Sequence, residues 1–273
     1  MKVTRFKPAM PLAPFVDCFW HMEGYLPPHS RELSLPDGSA EIVVDLREGD
    51  IRLFDLESRE LRFRGSVVCG PHTRRFAIDT TRACAVVGIH FKPGGLRPFI
   101  GMPAGELLNG HVPLEAIWGS AAGTLRDRLL ECGTPAAMFR LLERTLLAAA
   151  TRPPETHPAV AFALRQFECA PGGASVAAVI GQTGLTHKRL IELFRDEVGM
   201  TPQKMRRLFR FQKALQLMNG GDAAGWAELA VDCGCYDQAH FIKEFRDFSG
   251  FSPTDYTAAS GRHPNHAAEP RQA

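Results

Sequence analysis

The chain of 273 residues has no run of about 18 apolar residues, so no membrane-spanning helix is expected. Residues 1–19 lack the basic, apolar and small-residue layout of a signal peptide, and the expected location is the cytoplasm. Charge of one sign is scarce as well. Lys and Arg number 32 against 30 Asp and Glu, and a net +2 carries no overall nucleic-acid signature. The seven cysteines are scattered and odd in number, which argues for reduced, buried thiols rather than a disulfide framework. Cys233 and Cys235 lack a second pair or a nearby histidine set, so no zinc site is assigned to them. No phosphate loop, Ser-His-Asp set or paired catalytic acids stand out. No cofactor and no catalytic residue are expected.

What is present describes a globular protein. Hydrophobic residues make up 45% and charged residues 23%, and the length suggests two domains. Up to about residue 118, short strand signals alternate with turns. Residues 41–46 follow the turn Leu35-Pro36-Asp37-Gly38, and further strands are expected at 51–54, 61–63, 67–69, 74–78 and 83–91. The spacing suggests a small barrel or double-sheet jelly roll. Helical turns follow at 96–100 and 104–108, then a helix near 125–130. Thr134 caps another, in which Met138, Leu141, Leu142, Thr145, Leu146 and Ala149 form one apolar stripe. That stripe suits packing on its own barrel or pairing across a homodimer. Residues 151–158, with Pro153, Pro154 and Pro158, read as a linker. Residues 1–150 and 159–259 then form two domains, and the polar tail 260–273 is expected to be disordered.

The second domain carries one pattern twice. Gly184, Leu193-Phe194-Arg195 and Gly199-Met200-Thr201-Pro202 recur as Gly234, Phe245-Arg246 and Gly250-Phe251-Ser252-Pro253. Each copy reads as a scaffold helix, a glycine turn and a second helix capped by Thr186 or Asp237, a helix-turn-helix. A helix from Pro202 to Met218 would connect them rigidly. Outward positions of the two second helices are His187, Lys188, Arg189, Ile191 and Glu192, then Gln238, Ala239, His240, Ile242 and Lys243. Such positions meet base edges in the major groove of double-stranded DNA. The stretch 187–213 holds eight Lys and Arg against three acids, so Arg206, Arg207 and Arg210 join Lys204 and Lys213 as expected phosphate contacts. Beyond it, from 214 to 260, acids prevail. The first unit thus reads as the electrostatic anchor.

The string Trp226-Ala227-Glu228-Leu229-Ala230, Gly234, Asp237-Gln238-Ala239-His240-Phe241, Phe245-Arg246, Gly250-Phe251-Ser252-Pro253 and Tyr256 resembles the DNA-binding domain of AraC/XylS-family bacterial transcription regulators. The resemblance covers about 157–259. It implies seven helices, two consecutive major grooves and base reading by Lys188, Ile191, Glu192, Gln238, Ala239, Ile242 and Lys243. Cys235 and Ile180 depart from the usual aromatic and alanine, both within apolar chemistry. RNA polymerase is a further partner for such a regulator.

Residues 1–150 resemble the cupin-like domain that precedes this module in one subgroup, through Leu35–Gly38, Gly70-Pro71-His72-Thr73, Gly88-Ile89-His90-Phe91, Pro93-Gly94-Gly95, Val112-Pro113-Leu114 and Trp118-Gly119. The resemblance implies a small-molecule sensor or a dimerising domain. Trp20, His21 and His90 are candidate ligand residues. His72 and His90, with Cys69 and Glu41, would be the metal partners in a rival reading as a cupin-type enzyme. The closely spaced histidines of a metal cupin are absent, and no metal is assigned. The fold class is therefore α+β: a cupin-like β-barrel with trailing helices, then an all-α domain of two helix-turn-helix units and a connector helix.

Overall fold

A computed structural model describes residues 1–150, 154–173, 175–220, 225–261 and 265–269. The first half is built of strands and the second of helices, the α+β class expected. Ten strands lie in the first half: β1 (Lys2–Phe6), β2 (Val16–Glu23), β3 (Arg31–Ser34), β4 (Glu41–Asp45), β5 (Asp50–Phe54), β6 (Glu60–Arg64), β7 (Ser66–Cys69), β8 (Phe76–Asp79), β9 (Ala85–Phe91) and β10 (His111–Pro113). An eleventh, β11 (His266–Ala268), comes from the far end of the chain. One sheet runs β1-β2-β9-β4-β7-β10 and the other β11-β3-β8-β5-β6, with antiparallel pairing throughout. The strands expected at 41–46, 51–54, 61–63, 67–69, 74–78 and 83–91 correspond to β4 through β9.

The sheets face each other across a small apolar core in which Leu53 and Phe63 meet Val67 and Cys69. Side chains alternate along a strand, so each sheet has a second face to cover. On the six-stranded sheet that face carries Phe19, Ile42, Val44, Val68, Val87 and Ile89. It is covered by helices α1 (Glu115–Trp118), α2 (Ser120–Leu130) and α3 (Pro135–Ala149), through Leu125, Leu129, Met138, Leu142 and Leu146 among others. Phe139 of α3 stacks on Phe6 and Phe19. The apolar stripe of α3 is thus occupied by its own domain. Thr134 caps α3 by accepting from the Ala137 N–H, with Pro135 at the first helical position.

Among the described residues seven helices follow: α4 (Pro158–Cys169), α5 (Val176–Thr183), α6 (His187–Glu197), α7 (Pro202–Gly220), α8 (Trp226–Asp232), α9 (Gln238–Ser249) and α10 (Pro253–Ala259). Part of the expected linker, 151–153, lies outside the described residues, and 154–157 is irregular. No helix among the described residues is long and apolar enough to cross a membrane.

The two halves share one core. Leu33, Leu35, Phe54 and Ala77, from β3, β5, β8 and the residue after β3, join a cluster with Val160, Phe167, Phe194, Leu208, Phe211 and Phe245. The outer face of the five-stranded sheet is therefore the platform on which the helical half sits. The expectation of a disordered tail is corrected for residues 265–269. Ala267 is completely buried in this core, and β11 completes the sheet on β3. A two-residue apolar step between polar neighbours is enough once a partner strand supplies the hydrogen bonds.

Candidate nucleic-acid interface

Each helix-turn-helix unit is fixed by short-range chemistry. In the first, Ser175 caps α5 by accepting from the Ala178 N–H, and α5 ends at Gly184. Thr186 Oγ1 accepts from the Arg189 N–H at 3.2 Å and starts α6. In the second, Asp237 Oδ1 accepts from the His240 N–H at 2.7 Å and starts α9. Gly234, between α8 and α9, has φ 67° and sits against the backbone of Gly172, where an added Cβ would lie 2.1 Å from the Gly172 Cα. Only glycine meets both demands. This contact brings the loop after α4 against the turn of the second unit.

The starts of both second helices face solvent. His187, Lys188, Arg189 and Glu192 are exposed on α6, with Ile191 half-buried. On α9, Gln238, Ala239 and Lys243 are exposed, while Ile242 is half-buried against the core. Leu190, Leu193 and Phe194 turn inward on α6, as do Phe241 and Phe245 on α9. Arg189 lies 3.4 Å from Glu192 on the surface. His240 has a structural share: Nδ1 accepts from the Tyr236 N–H at 3.3 Å and Nε2 lies 3.6 Å from Glu244.

The connector's cations need correction. Arg210 is 6% exposed and makes three hydrogen bonds of 2.7–3.0 Å to the Glu244 carboxylate of α9. Arg207 donates to Glu244 at 3.0 Å and to Asp247 at 3.1 Å. Neither guanidinium stands free for phosphate. Arg206 is half-buried, with its Nε unpartnered and Nη2 3.5 Å from the Gly173 carbonyl oxygen. Lys204 packs its ammonium 5.0 Å over the Phe248 ring, and burial together with Arg207 lowers its pKa. The basic excess of 187–213 is thus largely directed at α9. The exposed cations that remain on α6 are Lys188, Arg189 and Arg195.

In the first half, Trp20 and His90 meet at Glu41. The Trp20 Nε1–H donates to Glu41 Oε1 at 3.1 Å, and His90 Nδ1 lies 3.0 Å from the same oxygen. His90 Nε2 is 3.6 Å from Asp37. Burial works against a charged His90, yet the bond to Glu41 and its charge push the pKa up to about 9. Register explains the meeting: Glu41 pairs with His90, and Trp20 pairs with Gly88 two residues before it. A Cβ at Gly88 would lie 2.6 Å from the Trp20 ring, so glycine there makes room for the indole. The sequence names Glu41 beside His90 only as a metal partner in the rival reading; strand pairing brings Glu41 to His90, and the turn before β4 brings Asp37.

His21 does not join them. As the neighbour of Trp20 on a strand it points to the opposite face, buried, with Nδ1 unpartnered. His72 is also apart from His90. It packs 4.6 Å from His111 and 4.8 Å from Phe76, ring centre to ring centre. Burial pulls His72 down to about 4 and His111 to about 3, and each has an unpartnered Nε2. Among the described residues no group of three or more His, Cys, Asp or Glu is arranged to hold a metal ion. Burial pushes the Cys233 thiol up to about 12, the behaviour of an inert core residue.

A cleft of about 700 Å³ separates the halves beside α6. Glu106 and Leu108 line one wall, and Glu192, Arg195, Asp196 and Lys204 the other. Arg97 closes one contact across the halves, 3.3 Å from Asp196.

Residues 180–259 match a helix-turn-helix domain family, and residues 4–113 match DUF6597, a domain of unknown function. No curated protein matches the chain. Among solved structures, ToxT from Vibrio cholerae at 1.65 Å is similar over 88% of this chain and 98% of its own, with 10% identity and a TM-score of 0.50. ToxT bound to an unsaturated fatty acid covers 88% and 94%, at 12% identity and TM-score 0.49. The xylose-binding transcription activator XylR is similar over 53% of this chain and 39% of its own, at 20% identity and TM-score 0.35. The arrangement of a sheet domain and a paired helix-turn-helix domain is thus that of the ToxT fold.

Residues 180–259 thus carry the helix-turn-helix domain that the two capped units describe. That domain is of the AraC type, and a domain of the DUF6597 family stands in front of it.

Proposed function

We propose that the chain regulates transcription by reading two consecutive major grooves of promoter DNA with α6 and α9, from the cytoplasm. The observation that carries this reading is the capped start of each helix. Thr186 and Asp237 hold the first turns, and exposed Lys188, Glu192, Gln238 and Lys243 project there. Gln238 suits adenine, Lys243 guanine or phosphate, and Glu192 cytosine. Phosphates are met by Lys188, Arg189 and Arg195 and by the helix starts, which orient the protein while the base contacts specify the site.

The sandwich receives a small-molecule signal, and Trp20, Glu41 and His90, which share one oxygen, are its proposed polar anchor. Homodimerisation uses the side of α2 and α3, where Leu130 and Leu147 remain exposed. RNA polymerase is the downstream partner. The test is selection of bound duplexes from a random pool, followed by footprinting. Protection should cover two segments about 34 Å apart on one face of the duplex. A footprint confined to one groove would refute two-groove reading.

A further inference from the structure

The chain after α10 belongs to both halves at once. It turns at Ser260 and Gly261, where Ser260 bridges to Ala267 and the Gly261 N–H donates to the His266 carbonyl at 3.0 Å. This ties β11 to the end of the second helix-turn-helix unit. On its other edge β11 pairs with β3. The Leu35 N–H donates to the Asn265 carbonyl at 2.8 Å, and the Glu269 N–H donates to that of Arg31 at 3.2 Å. Side chains repeat the attachment. His266 Nδ1 lies 2.7 Å from Glu32, Arg31 is 3.6 Å from Glu269, and Asn265 Nδ2 is 3.4 Å from Asp37.

The loop that follows β3 also holds the connector. Gln212 Nε2 donates to the Pro36 carbonyl at 2.8 Å, and Gly38 lies against the Met205 and Leu208 side chains of α7. The same Asp37 faces His90. One short loop therefore touches the sandwich interior, the connector helix and the returning strand.

This docked form burdens DNA binding. Glu106 lines the cleft beside α6 together with Glu192 and Asp196. A phosphate backbone approaching α6 from that side meets Glu106 of the sandwich in addition to Glu192 and Asp196 of α6 itself, so docking adds one carboxylate beside the cations Arg195 and Lys204 that phosphate would need. We propose that residues 265–269 are an autoinhibitory strap: paired to β3, they keep the helical half seated on the sandwich with Glu106 beside α6, and their release yields the DNA-binding form. The proposal deepens the DNA-binding reading and rests on it. Coupling of this kind needs only a differential affinity of the two forms for DNA.

The experiment uses the full chain and a duplex selected from a random pool. Hydrogen exchange at the Leu35 and Glu269 amides should accelerate when the duplex is added; unchanged protection overturns the proposal. The variant Ala267→Asp, and a chain ending at Gly261, should bind that duplex at least about fivefold more tightly. Equal or weaker binding by a folded variant overturns it, and exchange on the intact chain decides if the variants fail to fold. If no duplex is selected by any form, the DNA-binding reading falls. The mechanical claim then rests on heat alone, since Ala267→Asp should split one unfolding transition into two. A single transition would end that claim as well.

Discussion

The two helix-turn-helix units share a plan and differ in how they are held. The first meets the sandwich at its far end: Arg97 reaches Asp196 on α6, and Gly105 lies against the Arg195 carbonyl oxygen. Its reading helix keeps its cations on the surface. The second is tied down from inside, because Glu244 on α9 gathers Arg207, Arg210 and His240. Sequence similarity between repeats therefore does not imply equal mechanics. A basic residue in the first repeat can serve the second, and local charge counts mistake such a residue for a DNA contact.

The largest expected effect separates these two uses of charge. Glu244 is 4% exposed, so Glu244→Ala leaves Arg210 buried without its partner. Breaking such a pair costs about 3–5 kcal/mol. Arg189→Ala at the exposed pair should cost about 0.5 kcal/mol or less. Denaturant unfolding of both variants checks the contrast. Similar losses would show that the Glu244 cluster does not hold the second unit.

The turns give the next largest difference. Gly184 and Gly234 have φ of 71° and 67°, so an alanine at either place bears about 1–2 kcal/mol of left-handed strain. At Gly184 an added Cβ meets nothing within 4 Å, whereas at Gly234 it runs into Gly172. Gly234→Ala should therefore cost about 1–3 kcal/mol more than Gly184→Ala. Equal melting points would mean that the contact at Gly172 relaxes freely.

A third difference depends on pH. The strap beside the second unit ends on Glu32. Burial favours the protonated form of that carboxyl, but hydrogen bonds from His266, Tyr25 and His29 bring its pKa down to about 2. A depressed carboxyl stabilises the fold fully above its ordinary value of about 4.5 and loses that contribution as pH falls towards 2. Glu32→Gln should flatten the fall in melting temperature across this window. An unaltered acid limb in Glu32→Gln would refute the assignment.

Legibility in the sequence followed the range of the interactions. Both units, their caps and their turns were readable because Thr186, Asp237, Gly184 and Gly234 act within four residues of themselves. The class α+β and six strands were readable from alternation. The Arg210–Glu244 pair was not, since it joins residues 34 apart on helices whose crossing no local pattern specifies. Strand β11 was hidden further: its bond from His266 to Glu32 spans 234 residues, and a three-residue strand has no period of its own. Of the ligand candidates, Trp20 and His90 meet at Glu41 and His21 does not join them, because adjacent strand residues face opposite ways and composition does not say which way is in.

The smallest expected effect bears on DNA itself and on whether the first unit anchors the complex. Lys188 and Arg189 are exposed on α6, and Lys243 is exposed on α9. Each phosphate contact contributes about 0.9 to the slope of log affinity against log salt. Lys188→Ala with Arg189→Ala should lower that slope by about 1.8, and Lys243→Ala by about 0.9 or less. The pairing of Arg189 with Glu192 pulls the first figure down, because the guanidinium must leave a carboxylate 3.4 Å away before it meets phosphate. Titrating the selected duplex at several salt concentrations measures both slopes. A larger change from Lys243 than from the α6 pair would reverse the assignment and make the second unit the anchor, held in place by Glu244 and the strap.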